Sequence, residues 1–170
     1  GVDAHEVIKA ANHEYPRNKI PLPSPGVGGP CLTKDHRLLL SHFTQNNVAP
    51  LIRAAQQINE QMPRRMVERI YRTLDSIGAH KDPSFFLVGF AFKGEPPTSD
   101  MRDSTSLLFL DALRRRTSRI SSYDPIVPSS ELASLGIATV KDYREGFRNA
   151  DCVVLLNNHN SYAQWNLGKL

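Results

Sequence analysis

Phe85-Phe86-Leu87-Val88-Gly89-Phe90-Ala91-Phe92 is an unbroken apolar run in an otherwise polar, charged sequence. With no alternation along it, the run reads as a strand covered on both faces, as in a parallel sheet. A polar loop with Pro96 and Pro97 follows, then Ser104 as the N-cap of a helix carrying Leu107, Leu108, Leu110 and Leu113. A short strand ends at Tyr123-Asp124-Pro125, with a helix expected around 129–135, a strand at 137–140 and a helix near 142–148. Asp151-Cys152-Val153-Val154-Leu155-Leu156 reads as another buried strand, followed by the polar loop Asn157-Asn158-His159-Asn160. Strands alternating with helices at this spacing imply βαβ units, and so an α/β fold with a doubly wound parallel sheet.

Upstream the pattern is helical. Val7, Ile8 and Ala11 share one side of a short helix over 3–12. Residues 35–46 predict a second helix, with Leu38, Leu39 and Phe43 facing inward. In a third, Val48, Leu51, Ile52, Ala55, Ile58, Met62, Met66, Ile70, Leu74 and Ile77 recur at three and four, the stripe of a buried face. Pro63 should bend or break that helix, and Gly78 should cap its end. A helix of ~30 residues runs about 45 Å, longer than a compact domain needs. It is therefore expected to bridge two domains or to pack on a second copy of itself.

Between the first two helices lies a proline-ordered loop with Pro16, Pro21, Pro23, Pro25 and Pro30. It ends in Ser24-Pro25-Gly26-Val27-Gly28-Gly29-Pro30-Cys31-Leu32-Thr33-Lys34-Asp35. Closely spaced glycines let backbone N–H groups turn toward a ligand. A cysteine just before a helix start lies where amides and the helix dipole favour the thiolate, the nucleophilic form. Asp35 would lie on the first helical turn, able to cap it or orient a water. The residues alone leave a second reading open, a Gly/Pro turn with an incidental buried cysteine. Tyr15-Pro16-Arg17 can point a ring and a fixed cation at an anion, or can simply be solvated surface.

The bulk numbers narrow the partners. The 170 residues, 40% hydrophobic and 22% charged, suit a soluble globular protein. A chain of this size buries about 70% of its unfolded surface. A net charge of +4 suits anionic small molecules, without the basic stripe and interleaved aromatics of a nucleic-acid binder. The two cysteines, Cys31 and Cys152, form no CxxC and no His/Cys cluster at metal spacing. No apolar run approaches the ~18–20 residues that span a bilayer, and no signal peptide opens the sequence. The expectation is a reducing cytoplasm, with no membrane, nucleic-acid or metal partner. The chain opens abruptly, already in helical pattern, as if cut from something longer.

Ligands of such sheets sit beyond the carboxyl ends of the strands. Lys93 and Asp124 stand at the ends of the first two strands, and His159 follows the last. Arg102 precedes the Ser104 cap, so Lys93 and Arg102 together could grip phosphates. Each alone also reads as a surface charge, and His159 as a polar loop residue. Cys152 reads as an inert small hydrophobe and Arg114-Arg115-Arg116 as a match to a helix C-terminus. The first strand lacks a GxGxxG after it, which argues against a standard dinucleotide site within these residues.

Taken together, four stretches resemble the middle and C-terminal parts of the UDP-glucose/GDP-mannose dehydrogenase family, the NAD-dependent nucleotide-sugar 6-dehydrogenases. They are Pro25-Gly-Val-Gly-Gly-Pro-Cys31-Leu-Thr-Lys-Asp35; Ile58-Asn-Glu-Gln-Met-Pro63; Gly89-Phe-Ala-Phe-Lys93 with Asp100-Met-Arg-Asp-Ser104; and Tyr123-Asp-Pro125 with Ala150-Asp-Cys-Val-Val-Leu-Leu156. The resemblance implies a central helical dimerisation domain with the cysteine loop over 1–82 and a Rossmann-like UDP-binding domain over 83–170. It implies a homodimer through the long helix at 48–78, a UDP-sugar substrate, and NAD as cofactor. The NAD-binding domain and a final strand of the C-terminal domain are expected to lie outside this sequence.

By the same resemblance Cys31 is the nucleophile, forming a thiohemiacetal and then a thioester at sugar C6, and Asp35 assists proton handling and hydrolysis. Phe92 and Lys93 contact the UDP-sugar, and Gly28 offers a backbone contact to it. Tyr15 and Arg17 belong with substrate, the arginine offered to the partner subunit in the N-acetylhexosamine branch. Lys34 and Arg102 belong with NAD. Lys34-Asp35 leans toward the UDP-glucose branch and Tyr15-Pro16-Arg17 toward the N-acetyl branch, so the sugar stays open. Two other readings stand beside this one, a non-catalytic nucleotide-binding or dimerisation module and a thiol enzyme pairing Cys31 with His36 or His13.

Overall fold

The computed structural model describes residues 1–17, 20–22, 24–42, 49–79, 81–166 and 168. Three helices come first, α1 Ala4–Asn12, α2 Pro30–His42 and α3 Ala49–Ser76. Then β1 Phe85–Val88, α4 Thr105–Arg114, β2 Ile120–Tyr123, α5 Ser129–Ser134, β3 Ala138–Thr139, α6 Tyr143–Arg148 and β4 Cys152–Leu155 alternate, ending in a 3₁₀ turn at Asn160–Gln164. The sheet is parallel throughout, in the order β3-β2-β1-β4. The alternation expected from the apolar runs is therefore observed.

β1 is the central strand, and all four of its residues are buried. Its side chains divide the core between two faces. Phe85 and Leu87 pack with Val67, Tyr71, Leu74, Phe109 and Leu113 of α3 and α4. Phe86 points the other way and meets Phe147 of α6 edge-on, with ring centres 5.7 Å apart. Val88 pairs in register with both Tyr123 and Leu155, so the three strands end level and their loops leave from one rim. From β1 the chain winds through β2 to β3, then returns through α6 to β4 on the far side of β1. That reversal opens a crevice at the carboxyl ends of β1 and β4, where doubly wound sheets place ligands.

Local chemistry sets the boundaries. The Ser104 hydroxyl accepts the Ser106 N–H at 3.2 Å and starts α4 as expected. Gly78, at φ +69°, ends α3 in a Schellman motif, with Ala79 N–H on the Leu74 carbonyl and Gly78 N–H on that of Asp75. The Asp124 carboxylate, buried at the end of β2, accepts the Phe90 N–H at 2.6 Å and those of Ile126 and Val127 at 2.8 Å. Asp124 therefore ties the loop after β1 to the loop after β2.

Several expectations need correction. β1 stops at Val88, and the rest of the apolar run, through Phe92, forms a loop held by Asp124. β4 is not doubly covered; it pairs only with β1 among the described strands, and Leu155 is exposed. In α4, Leu108 is exposed and Phe109 takes the core place. α1 buries none of its residues, and Val7 is exposed. α2 begins at Pro30, not 35, because proline at the first helical position is already set at helical φ. Its Leu38 and Leu39 face outward, and Leu40 is its buried residue. α3 runs unbroken through a buried Pro63. Leu51, Ile58 and Ile77 on its stripe are exposed, Leu51 at 74%. Periodicity identifies an apolar face but not what covers it. Phe43, Pro23, Val48 and the predicted helix end at 43–46 lie outside the described residues.

Asp124→Ala should lower stability by about 2–4 kcal/mol, because buried amides lose a charged acceptor. Asp124→Asn, which keeps one oxygen, should cost less. The check is the urea unfolding midpoint at constant m; an unchanged midpoint for Asp124→Ala would refute this role.

Candidate functional site

The cysteine sits inside the first turn of α2, not ahead of it. The first helical bond runs from Thr33 N–H to the Gly29 carbonyl at 3.2 Å, and the Thr33 hydroxyl donates to the same oxygen at 3.0 Å. The Cys31 and Leu32 amides therefore stand ahead of the helical ladder, at its positive end. Cys31 itself is exposed, so the reading of an incidental buried cysteine fails. Asp35 lies on the second turn and cannot cap the helix; its carboxylate is 3.5 Å from Lys34 Nζ, and both side chains are exposed. His36 lies about 140° round the helix from Cys31. Its Nδ1 is 2.7 Å from the Leu32 carbonyl oxygen, and His13 lies beside Glu14. Neither forms a Cys–His pair.

The glycine loop is docked directly on the rim of the sheet. Gly29 donates its N–H to the Asp103 carbonyl at 3.0 Å. A Cβ on Gly28 would stand 2.6 Å from that same oxygen, and one on Gly29, at φ +99°, would stand 2.8 Å from the Phe92 ring. No side chain fits at either position, so two glycines are what allow the contact. The other side of the joint is equally ordered. Phe92 donates its N–H to the Asp100 carbonyl at 3.0 Å, and Asp103, at φ +53°, turns the chain into the Ser104 cap.

Cations border this joint. Lys93 Nζ lies 5.3 Å from the centre of the Phe92 ring. Arg102 pairs with Asp100, Nη2 to Oδ2 at 2.7 Å and Nε to Oδ1 at 3.0 Å, while its side chain stays 76% exposed. The turn after Lys93 meets the loop after β4, with Gly94 N–H donating to Asn158 Oδ1 at 3.1 Å. His159 caps the 3₁₀ turn, its Nδ1 accepting the Ser161 N–H, which fits the polar-loop reading. Cys152 is half-buried, and burial pushes its thiol up, away from the reactive form.

Of the residues singled out in the sequence, Gly28, Phe92, Lys93 and Arg102 thus converge on one rim with the Cys31 loop. Lys34 and Asp35 lie one turn further along α2. Tyr15 and Arg17 are exposed after α1, and no hydrogen bond or ion pair among the described residues joins them to this rim. Sequence reasoning quoted the stretches that hold Asn59, Asp100 and Asp103 but gave these residues no role; the Asn59 carboxamide holds Val27, and Asp100 and Asp103 build the turn. Asn59 lies in the quoted stretch Ile58–Pro63, which marks the segment but assigns its asparagine no contact.

A thiol at a helix start, docked by two glycines on the carboxyl rim of a doubly wound sheet, defines a Rossmann-like nucleotide domain with a helical arm. Comparison with known proteins makes this specific. Residues 86–170 match the UDP-binding domain of the UDP-glucose/GDP-mannose dehydrogenase family, and residues 1–61 match its central domain. The chain belongs to that family. The UDP-N-acetyl-D-mannosamine dehydrogenase of Pyrococcus horikoshii is 34% identical over 167 residues, covering 98% of this chain and 37% of that protein. The Methanococcus vannielii protein of the same name is 32% identical over 162 residues, covering 95% and 35%. The solved UDP-D-ManNAc dehydrogenase from Pyrococcus horikoshii aligns with a TM-score of 0.82 at 32% identity, over 99% of this chain and 37% of that one. This chain thus spans little more than a third of the length of the curated relatives it matches.

The Arg102 guanidinium holds the Asp100 carboxyl well below its ordinary 3.8, at about 2. The depressed folded value means that the pair contributes stability fully present above pH 3.8 and lost as pH falls through about 2. The Asp100 carboxyl carbon, followed by NMR, should titrate near the lower value and move up in Arg102→Ala. A midpoint already at 3.8 in the unsubstituted chain would contradict the pair.

Proposed function

We propose that this chain carries the thiol and nucleotide-sugar parts of a UDP-sugar 6-dehydrogenase, which oxidises the C6 alcohol of a UDP-hexose or UDP-N-acetylhexosamine to the uronic acid. Residues 1–82 form the helical arm with the cysteine loop, and 83–170 the UDP-binding unit. The observation that carries this reading is the Gly29–Asp103 bond, which sets an exposed cysteine beside the rim where Phe92 and Lys93 lie. Phe92 and Lys93 hold the UDP-sugar, the ring against a flat face and the ammonium against phosphate charge. Gly28 exposes backbone to it, and Tyr15 and Arg17 reach substrate, the arginine toward a partner subunit's site.

The chemistry of the chain's own groups follows. Once C6 is an aldehyde, Cys31 Sγ adds to its carbon and the oxygen takes a proton, giving a thiohemiacetal that has a hydride to release. After oxidation to the thioester, water adds to the carbonyl and the sulfur leaves as thiolate, freeing the acid. Asp35 handles the protons of that hydrolysis. NAD+, when bound, is the hydride acceptor for both oxidations. Arg102 fits its pyrophosphate, because Asp100 engages Nε and Nη2 but not Nη1, and the exposed Lys34 ammonium supports it. A cytoplasmic setting, where free Cys31 and Cys152 stay reduced, suits this reading.

Iodoacetamide should label Cys31, and UDP-N-acetyl-D-mannosamine or UDP-glucose should slow that labelling, with Cys152 as internal reference. Labelling indifferent to both nucleotides would overturn the site. In calorimetry Lys93→Ala should weaken UDP binding by about tenfold, the worth of one charge-assisted contact; full affinity in that variant would contradict the placement of the phosphates.

The exposed Leu38, Leu51 and Ile58 on α2 and α3 support a homodimer through the long helix. Ultracentrifugation at micromolar concentration should give twice the 19.0 kDa chain mass, and Ile58→Glu should shift it toward the monomer. A monomer in the unsubstituted chain would refute the dimer.

A further inference from the structure

The loop leading into Cys31 is held from two sides, by the rim of the sheet at Gly28 and Gly29 and by the long helix at Val27. Midway along α3, Asn59 reaches out of its own helix. Its Oδ1 accepts the Val27 N–H at 2.8 Å, and its Nδ2 donates to the Val27 carbonyl at 2.8 Å. One carboxamide thus satisfies both backbone groups of a residue 32 positions away, as a neighbouring strand would. Val27 is 52% exposed, so backbone bonding and not apolar burial anchors the loop here.

The backbone of the helix is adapted at the same place. Pro63 has no N–H to give to the Asn59 carbonyl four residues before it. Gly26 packs there instead, and a Cβ on it would lie 3.5 Å from that oxygen. The gap in helical bonding and the seat of the loop therefore fall on one residue. Asparagine is a poor helix former, and here its side chain serves the loop.

The geometry points to Asn59 as a positioning residue for Cys31: it fixes the glycine loop on α3 while Asp103 fixes it on the sheet, so the sulfur is presented at a set place between them. This rests on the reading of Cys31 as nucleophile, but the clamp itself can be measured without it.

Amide hydrogen exchange of the 170-residue chain, followed by NMR, provides the test. Asn59→Ala should speed exchange of the Val27 and Gly29 amides by about tenfold or more, the worth of two neutral hydrogen bonds. The Tyr71 and Leu74 amides of α3 should keep their rates, since alanine favours the helix. Asn59→Asp, which keeps only the acceptor, should fall between. A Gly29 rate within twofold of the unsubstituted chain in Asn59→Ala would overturn the proposal. So would an equal rise along α3, which would make Asn59 only a part of the helix.

Alkylation of Cys31 with iodoacetamide separates the clamp from the catalytic reading. UDP-N-acetyl-D-mannosamine should slow it in the unsubstituted chain and not in Asn59→Ala, with UDP affinity unchanged. No slowing in the unsubstituted chain would defeat the catalytic reading, and the exchange rates would still decide the clamp.

Discussion

The arrangement depends on a backbone-to-backbone approach that leaves no room for side chains. Gly28 and Gly29 lie so near the Asp103 carbonyl and the Phe92 ring that even a methyl group at either would displace the loop. Beside the core packing of α3 on β1 and α4, this approach joins the cysteine loop itself to the sheet. That joint lies at the carboxyl rim, beside the crevice opened by the reversal between β1 and β4. Neither half makes the site alone. The helical arm supplies an exposed sulfur at a helix start, and the sheet supplies the ring, the cations and the turn on which the arm rests.

The sheet side is held by polar groups acting through the backbone. Asp124 gathers four buried or half-buried amides from the loops after β1 and β2, Asp100 holds Arg102, and Asn158 fixes the turn after Lys93. The exposed ion pairs on the helices, such as Arg64 with Glu68 and Arg37 with Glu60, add little by comparison. What positions the rim is a small set of polar side chains, some bonded within their own turn and others, Asp124 to Phe90 and Asn158 to Gly94, to main-chain groups far along the sequence.

Much of the fold was legible in the residues, and the physical basis of that legibility also accounts for the misses. Apolar runs alternating with capped helices specified the parallel sheet, because a strand apolar on both faces is stable only where both faces are covered. They did not locate ends: Phe85–Phe92 is apolar throughout, yet the strand stops where Asp124 captures the chain at Phe90. Pro30 read as the close of a proline loop and is in fact the first residue of a helix, which moved Asp35 off the first turn. The stripe of α3 was visible as a period, but its exposure at Leu51 and Ile58 depends on what lies beside it. In the site, Cys31, the glycines and Lys93 were legible as residue types in an unusual pattern. Asn59 stood in a quoted stretch, but its role was not legible, since it comes from a contact across 32 positions that no local pattern records.

A crystal structure of the chain with UDP-N-acetyl-D-mannosamine bound would test the joint most directly, through the distance from Cys31 Sγ to the sugar C6. A joint that presents the sulfur to the nucleotide rim predicts about 3–3.5 Å, the range of a reacting pair, with the pyrophosphate beside Lys93. A nucleotide seated elsewhere, or a C6 atom out of reach of the sulfur while the Gly29–Asp103 bond is intact, would contradict it.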